Sequence, residues 1–122
     1  MSKVKKILVV EDEKPMAKAL VLKLNHAGFE ATMANNGEEA LEILQKEQFD
    51  LMLLDLIMPR MDGFSVLEKI KEKGIKVKIV VTSNLGQEED FARAKDLGAG
   101  DYFVKSDTSL SEIVEYVSQL EK

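Results

Sequence analysis

The 122-residue sequence predicts an α/β sandwich on a five-stranded parallel sheet, and three observations carry that prediction. Short β-branched or aliphatic runs alternate along the chain with longer segments of helical spacing. Three of the runs, in KILVV, DLMLLD and VKIVVT, are almost continuously apolar, as strands covered on both faces should be. The length suits a single core, which commonly forms from about 100–150 residues, so residues 1–122 are read as one domain. Strands alternating with helices imply right-handed crossovers and hence a parallel, doubly wound sheet.

The first strand is predicted at Lys6–Val10. Pro15 suits the first turn of the helix that follows, where Met16, Leu20 and Leu24 form one stripe and Gly28 closes it. The second strand falls at Phe29–Ala34, and the second helix opens at Asn36–Gly37 and carries Leu41 and Leu44. Asp50–Asp55 is the third strand. The third helix opens near Asp62–Gly63, carries Val66, Leu67 and Ile70, and stops at Gly74. The fourth strand, Val77–Thr82, leads to a helix over Gln87–Leu97 that ends at Gly98. Its opening acids, Glu88, Glu89 and Asp90, suit the helix dipole and read as a solvated face. After a fifth strand at Asp101–Val104, Leu110, Ile113, Val114, Val117 and Leu120 repeat with helical period. Ser109 and Glu112 have the spacing of a capping box at the start of that helix.

Composition removes several classes of function. The chain has no cysteine, which excludes disulfide frameworks, thiolate zinc sites and iron–sulfur clusters. No apolar run approaches the roughly 20 residues of a membrane helix, and no signal peptide opens the sequence. Asp and Glu total 22 against 17 Lys and Arg, and the net charge of −5 argues against a broad nucleic-acid surface. A cytoplasmic domain with no membrane contact and no direct nucleic-acid contact is expected. With one His and no Cys, nucleophiles and metal ligands reduce to carboxylates and hydroxyls.

Ligands of open parallel sheets bind beyond the carboxyl ends of the strands. The residues there are Glu11, Asp12 and Glu13 after the first strand, Asp55 after the third, Thr82 and Ser83 after the fourth, and Lys105 after the fifth. Carboxylates brought this close repel unless a pKa rises or a cation sits between them. Oxygen ligands without His or Cys select Mg²⁺, with Mn²⁺ able to replace it, and Mg²⁺ commonly shares its shell with a phosphate oxygen. Lys105 and Thr82 would supply an ammonium and a hydroxyl for such a phosphoryl group. With no Ser–His or Cys–His pair, a carboxylate is the best acceptor, as in enzymes that form aspartyl phosphate.

Each residue also has a plainer reading. Asp12 or Glu13 would serve to cap the first helix, Asp55 to end a strand, Thr82 and Ser83 to begin a turn, and Lys105 to sit in solvent. Their joint placement at four strand ends favours function. His26, near the end of the first helix, is read as a cation favoured by the dipole rather than as a phosphoryl carrier.

Four segments, ILVVEDE, DLMLLDLIMPRMDG, VVTS and LGAGDYFVK, follow one another in an order and at a spacing that resembles the receiver domain of bacterial two-component response regulators. The resemblance covers about residues 5–121 and includes the chemotaxis response regulator. It implies a flavodoxin-like (βα)5 sandwich with strand order 2-1-3-4-5. It implies that Asp55 is the phosphoacceptor, that Asp12 is a direct Mg²⁺ ligand with Glu11 acting through water, and that the Ile57 backbone carbonyl completes the protein's share of the shell. Thr82 matches the switch hydroxyl, Tyr102 the aromatic that follows its movement, and Lys105 the lysine that contacts the phosphate. Two departures stand out. Ser106 follows the lysine where the family usually has a cis-proline, and Asn84 and Ile57 occupy the positions that govern water access to the acyl phosphate.

The resemblance further implies a phosphodonor in a sensor histidine kinase or phosphotransfer protein, and a domain that is no classical enzyme but catalyses its own Mg²⁺-dependent phosphorylation and dephosphorylation. A protein target would read the surface of the fourth helix, fifth strand and fifth helix, with the domain a monomer or a phosphorylation-dependent dimer. A start at Met1 and a clean close after the last helix favour a stand-alone regulator. A phosphohydrolase is disfavoured because Ile57 stands where its second acid belongs. A nucleotide or flavin site is disfavoured because acids, not glycines, follow the first strand. A receiver that only docks, without phosphorylation, is disfavoured by the complete set of acids, Thr82 and Lys105.

Overall fold

A computed structural model describes residues 5–120. Glu121, where the resemblance ends, lies outside the described residues. The strands are β1 Lys6–Val10, β2 Glu30–Ala34, β3 Leu51–Leu54, β4 Lys78–Ser83 and β5 Asp101–Val104. The helices are α1 Lys14–His26, α2 Gly37–Lys46, α3 Gly63–Lys73, α4 Glu88–Asp96 and α5 Leu110–Gln119. All strand pairs are parallel, in the order β2-β1-β3-β4-β5 that the resemblance implied.

Side chains of a strand alternate between faces, and that alternation divides the apolar runs into two cores. Leu8, Val10, Met52, Leu54, Ile79 and Val81 pack beneath α2, α3 and α4. Ile7, Val9, Leu51, Leu53 and Val80 pack beneath α1 and α5. β1, β3 and β4 are therefore buried at nearly every position, whereas the edge strands β2 and β5 are not.

Side-chain caps fix the starts of α2, α3 and α5. Asn36 Oδ1 accepts the Glu39 N–H at 2.8 Å, and Asp62 Oδ1 accepts the Ser65 N–H at 2.9 Å. The capping box of α5 closes in both directions between Ser109 and Glu112. Gly74, at φ 65°, ends α3 in the left-handed region.

The elements differ from expectation in three details. On α1 the buried stripe is Ala17, Leu20 and Leu24, whose spacing keeps them on one narrow face, with Met16 at its edge and only half-buried. The third strand spans Leu51–Leu54, one residue shorter at each end than Asp50–Asp55, although the Asp50 N–H still bonds the Lys6 carbonyl at 2.9 Å and its carboxylate accepts the N–H groups of Lys5 and Lys6 at 3.0 and 2.9 Å. A single 3₁₀ turn, Lys105–Asp107, follows β5, and among the described residues no peptide bond is cis.

Candidate functional site

β1 and β3 are adjacent, and strand order reverses between them, so their carboxyl ends border the crevice where open α/β sheets hold ligands. Glu11 continues β1, its N–H bonded to the Ala34 carbonyl at 3.1 Å. Asp55 continues β3, its N–H bonded to the Val10 carbonyl at 3.0 Å. The ladder thus extends one step past the strands and aims both acids at the same end of the sheet. Glu11 and Asp55 are buried, Asp12 half-buried, and one carboxylate oxygen from each of the three lies within 4.8 Å of the others. Glu13 takes the N-cap position of α1 but makes no side-chain cap bond there.

Lys105, immediately after β5, reaches into this cluster. Its ammonium donates to Asp55 Oδ2 at 3.0 Å and makes a short ion pair with Glu11 Oε1. The other oxygen of each acid meets a backbone donor: Ile57 N–H to Asp55 Oδ1 at 3.1 Å, and Glu13 N–H to Glu11 Oε2 at 3.2 Å. Three carboxylates cluster here and the Lys105 ammonium pairs with two of them, so the pocket is short of positive charge. Burial pushes Glu11 up to about 7, with the Asp55 charge adding to it and the Lys105 hydrogen bond opposing it. For Lys105, burial works against the charge, but the Glu11 hydrogen bond and the Asp55 charge outweigh it and hold the ammonium above the ordinary lysine range. The donor set fits Mg²⁺: hard oxygens only, clustered, with negative charge to spare.

Thr82 is buried in β4, on the strand next to Asp55. Ile57 leaves its side chain 52% exposed at the mouth of the pocket. Tyr102 is half-buried, donates its hydroxyl to the Leu85 carbonyl at 2.7 Å, and meets the Phe91 ring edge-on at 4.5 Å. The predicted residues therefore assemble at one edge of the sheet, with Tyr102 tied to the β4–α4 loop rather than touching the acids. His26, on α1, is no part of the cluster.

Two constraints escaped the sequence reading. A Cβ on Gly63 would lie 2.6 Å from both the Asp55 carbonyl oxygen and Leu56 Cα, backbone atoms with no room to yield. Gly63→Ala is expected to cost about 1–3 kcal/mol by overpacking, seen as a lower urea midpoint, and an unchanged midpoint would refute the close approach. The second is a hydrogen bond from the Ser106 N–H to Asn84 Oδ1 at 3.1 Å, joining the two loops that flank Lys105 and Thr82.

Both tyrosines titrate late. Burial first, then the Asp90 charge, push Tyr102 up to about 12, and burial together with the hydrogen bond to Asp101 pushes Tyr116 up to about 12. The fold favours the neutral phenols, so stability present below pH 10 should be lost as pH rises from about 10 to 12. The chain has two Tyr and no Trp, so phenolate absorbance reads them cleanly. Ionisation of the native protein near the unfolded value would contradict this.

A family model described as the response regulator receiver domain matches residues 7–118. The transcriptional regulatory protein DltR of Streptococcus agalactiae is 37% identical over 100 residues, which are 82% of this chain and 45% of that protein. The alkaline phosphatase synthesis transcriptional regulatory protein PhoP of Bacillus subtilis is 35% identical over 101 residues, 83% of this chain and 42% of that one. The chain thus spans less than half the length of these curated relatives. Among solved structures, the receiver domain of the Francisella response regulator 1452 superposes with a TM-score of 0.88 at 29% identity, covering 96% of both chains. The response regulator TrrA of Thermotoga maritima, solved with Mg²⁺–BeF, gives 0.82 at 34% identity, covering 95% of this chain and 98% of that one.

Proposed function

Because the chain belongs to the response regulator receiver domain family, we propose that it works as a phosphorylation switch of a two-component system whose acceptor is Asp55. The observation that carries this reading is the place of Asp55, a buried acid at the crevice with Ile57 N–H on one oxygen and Lys105 on the other. An Asp55 oxygen attacks the phosphorus of a phosphohistidine on a kinase or phosphotransfer protein. The new O–P bond forms as the N–P bond breaks, and the imidazole leaves with the electron pair. Lys105 transfers part of its hydrogen bonding to the phosphoryl oxygens, and the Thr82 hydroxyl closes on them. Glu11, Asp12, Asp55 and the Ile57 carbonyl would hold Mg²⁺, which supplies charge neutralisation for the carboxylates and the phosphoryl group. The same pocket admits water for hydrolysis of the acyl phosphate, making the domain the catalyst of its own dephosphorylation.

The phosphoryl group brings about −1.5 to −2 charge at neutral pH to a pocket already short of cations. Movement of Thr82 and release of Tyr102 from Leu85 then alter the surface of α4, β5 and α5, where Phe91 is exposed and a protein target docks. A complete shift from 1:99 to 99:1 needs about 5.5 kcal/mol of differential interaction, more than one new hydrogen bond supplies, so the target contributes part of it. The site of action is the cytoplasm, with output through protein contact and no membrane or nucleic-acid contact by this domain. Incubation with phosphoramidate and Mg²⁺ should give a single phosphoryl adduct by intact mass, and a chelator should suppress it. No adduct with Mg²⁺, or full uptake in chelator, overturns the proposal.

A further inference from the structure

The hydrogen bond between Ser106 and Asn84 lies outside the chemistry assigned so far, and one of its partners is Ser106, which stands where the resemblance led to the expectation of a cis-proline. β4 and β5 are paired in register through Ser83 and Val104. Beyond that pair the backbone ladder ends, and Lys105 opens a 3₁₀ turn. The first N–H groups of such a turn have no partner inside it. The Asn84 side chain reaches across from the end of β4 and accepts the Ser106 N–H at 3.1 Å, taking the place that a strand carbonyl would fill. Lys105 is thereby fenced on both sides, by the last ladder pair before it and by the Asn84 bond after it. The β4 side of the brace is itself held, since the Leu85 N–H bonds Ser83 Oγ at 3.3 Å and Tyr102 bonds the Leu85 carbonyl.

Resting on the phosphoacceptor reading of Asp55, we infer that Asn84 is a positioning residue for Lys105. Its side-chain oxygen fixes the backbone from which the long, rotamer-rich lysine side chain must reach Glu11 and Asp55. Asn84 and Ser106 act as a matched pair, because a proline at 106 would have no N–H to give. With the bond gone, the Lys105 root samples more conformations, and the ammonium spends less time where the transferring phosphoryl group needs it.

The test uses the whole chain, phosphoramidate and Mg²⁺, with Asn84→Leu as a near-isosteric variant lacking the acceptor and Asn84→Asp as one retaining it. Asn84 is exposed, so neither variant threatens the core. Asn84→Leu is expected to slow phosphoryl uptake about five-fold, the worth of one modest hydrogen bond, and Asn84→Asp to restore most of the rate. In a Lys105→Met background, Asn84→Leu should cause no further slowing, and amide exchange at Ser106 should quicken with Leu but not with Asp. Unchanged Ser106 exchange in Asn84→Leu overturns the brace. An equal slowing in the Lys105→Met background overturns the action through Lys105. If the unmodified protein takes up phosphoryl and Asn84→Leu matches it, only this inference fails, whereas no uptake by the unmodified protein fells the Asp55 reading and the inference with it.

Discussion

Lys105→Met is expected to slow phosphoryl uptake by about 10²- to 10³-fold, the usual cost of deleting one preorganised donor to developing negative charge. Lys105 is the ammonium that bridges Glu11 and Asp55, and its side chain is only 9% exposed. No water-borne cation replaces it at that spot without reorganisation. The same substitution should destabilise the fold, because removing one partner of a buried ion pair leaves an uncompensated charge. Such losses run to about 3–5 kcal/mol, and the low end is expected here since Glu11 takes up a proton readily. Rates with phosphoramidate and urea unfolding measure the two effects separately. A Met variant with unchanged rate would remove Lys105 from the mechanism, whatever its stability.

Asp55→Asn should abolish uptake and, in metal-free buffer, stabilise the protein. The amide keeps an oxygen for the Ile57 N–H but carries no charge, so Glu11 and Lys105 are left as a simple pair. Relief of carboxylate repulsion of about 1 kcal/mol would raise Tm by several degrees in a domain of this size. This is the common trade at functional sites, where groups arranged for a reaction are held at the expense of the fold. A melting temperature that falls instead would mean that Asp55 is in the fold as a structural anchor.

The fold was legible because its signals are local and repeated. Nearly continuous apolar runs at β1, β3 and β4 announced two covered faces, and the Ser109–Glu112 spacing announced a capping box that the structure forms. What the sequence could not show were contacts made by side chains at the strand ends. Asp50 reads as a strand residue by its neighbours, and its backbone does pair, but its carboxylate also binds the N–H groups of Lys5 and Lys6 where β1 begins. The site residues could be placed at strand ends from sequence, but their mutual contacts could not. Lys105 and Glu11 are 94 positions apart, and nothing local tells a lysine which acid it will meet. Gly63 reads in sequence as a helix start, whereas its tightest constraint is the Asp55 backbone pressed against it. Ser106 and Asn84 looked like two separate departures until the fold joined them.

The net charge of −5 also gains an address, since the acids Glu11, Asp12 and Asp55 gather in one pocket and the Lys105 ammonium pairs with two of them. That arrangement is costly for a resting protein and suits a pocket that receives a cation and then a phosphoryl group. The most direct measurement is to treat the protein with phosphoramidate and Mg²⁺, reduce the acyl phosphate with borohydride, and locate the product by peptide mass spectrometry. The expected result is homoserine at position 55 and unaltered acids at Glu11 and Asp12. Reduction at another acid, or phosphate found on Ser83, Thr82 or His26 with Asp55 untouched, would contradict Asp55 as the acceptor.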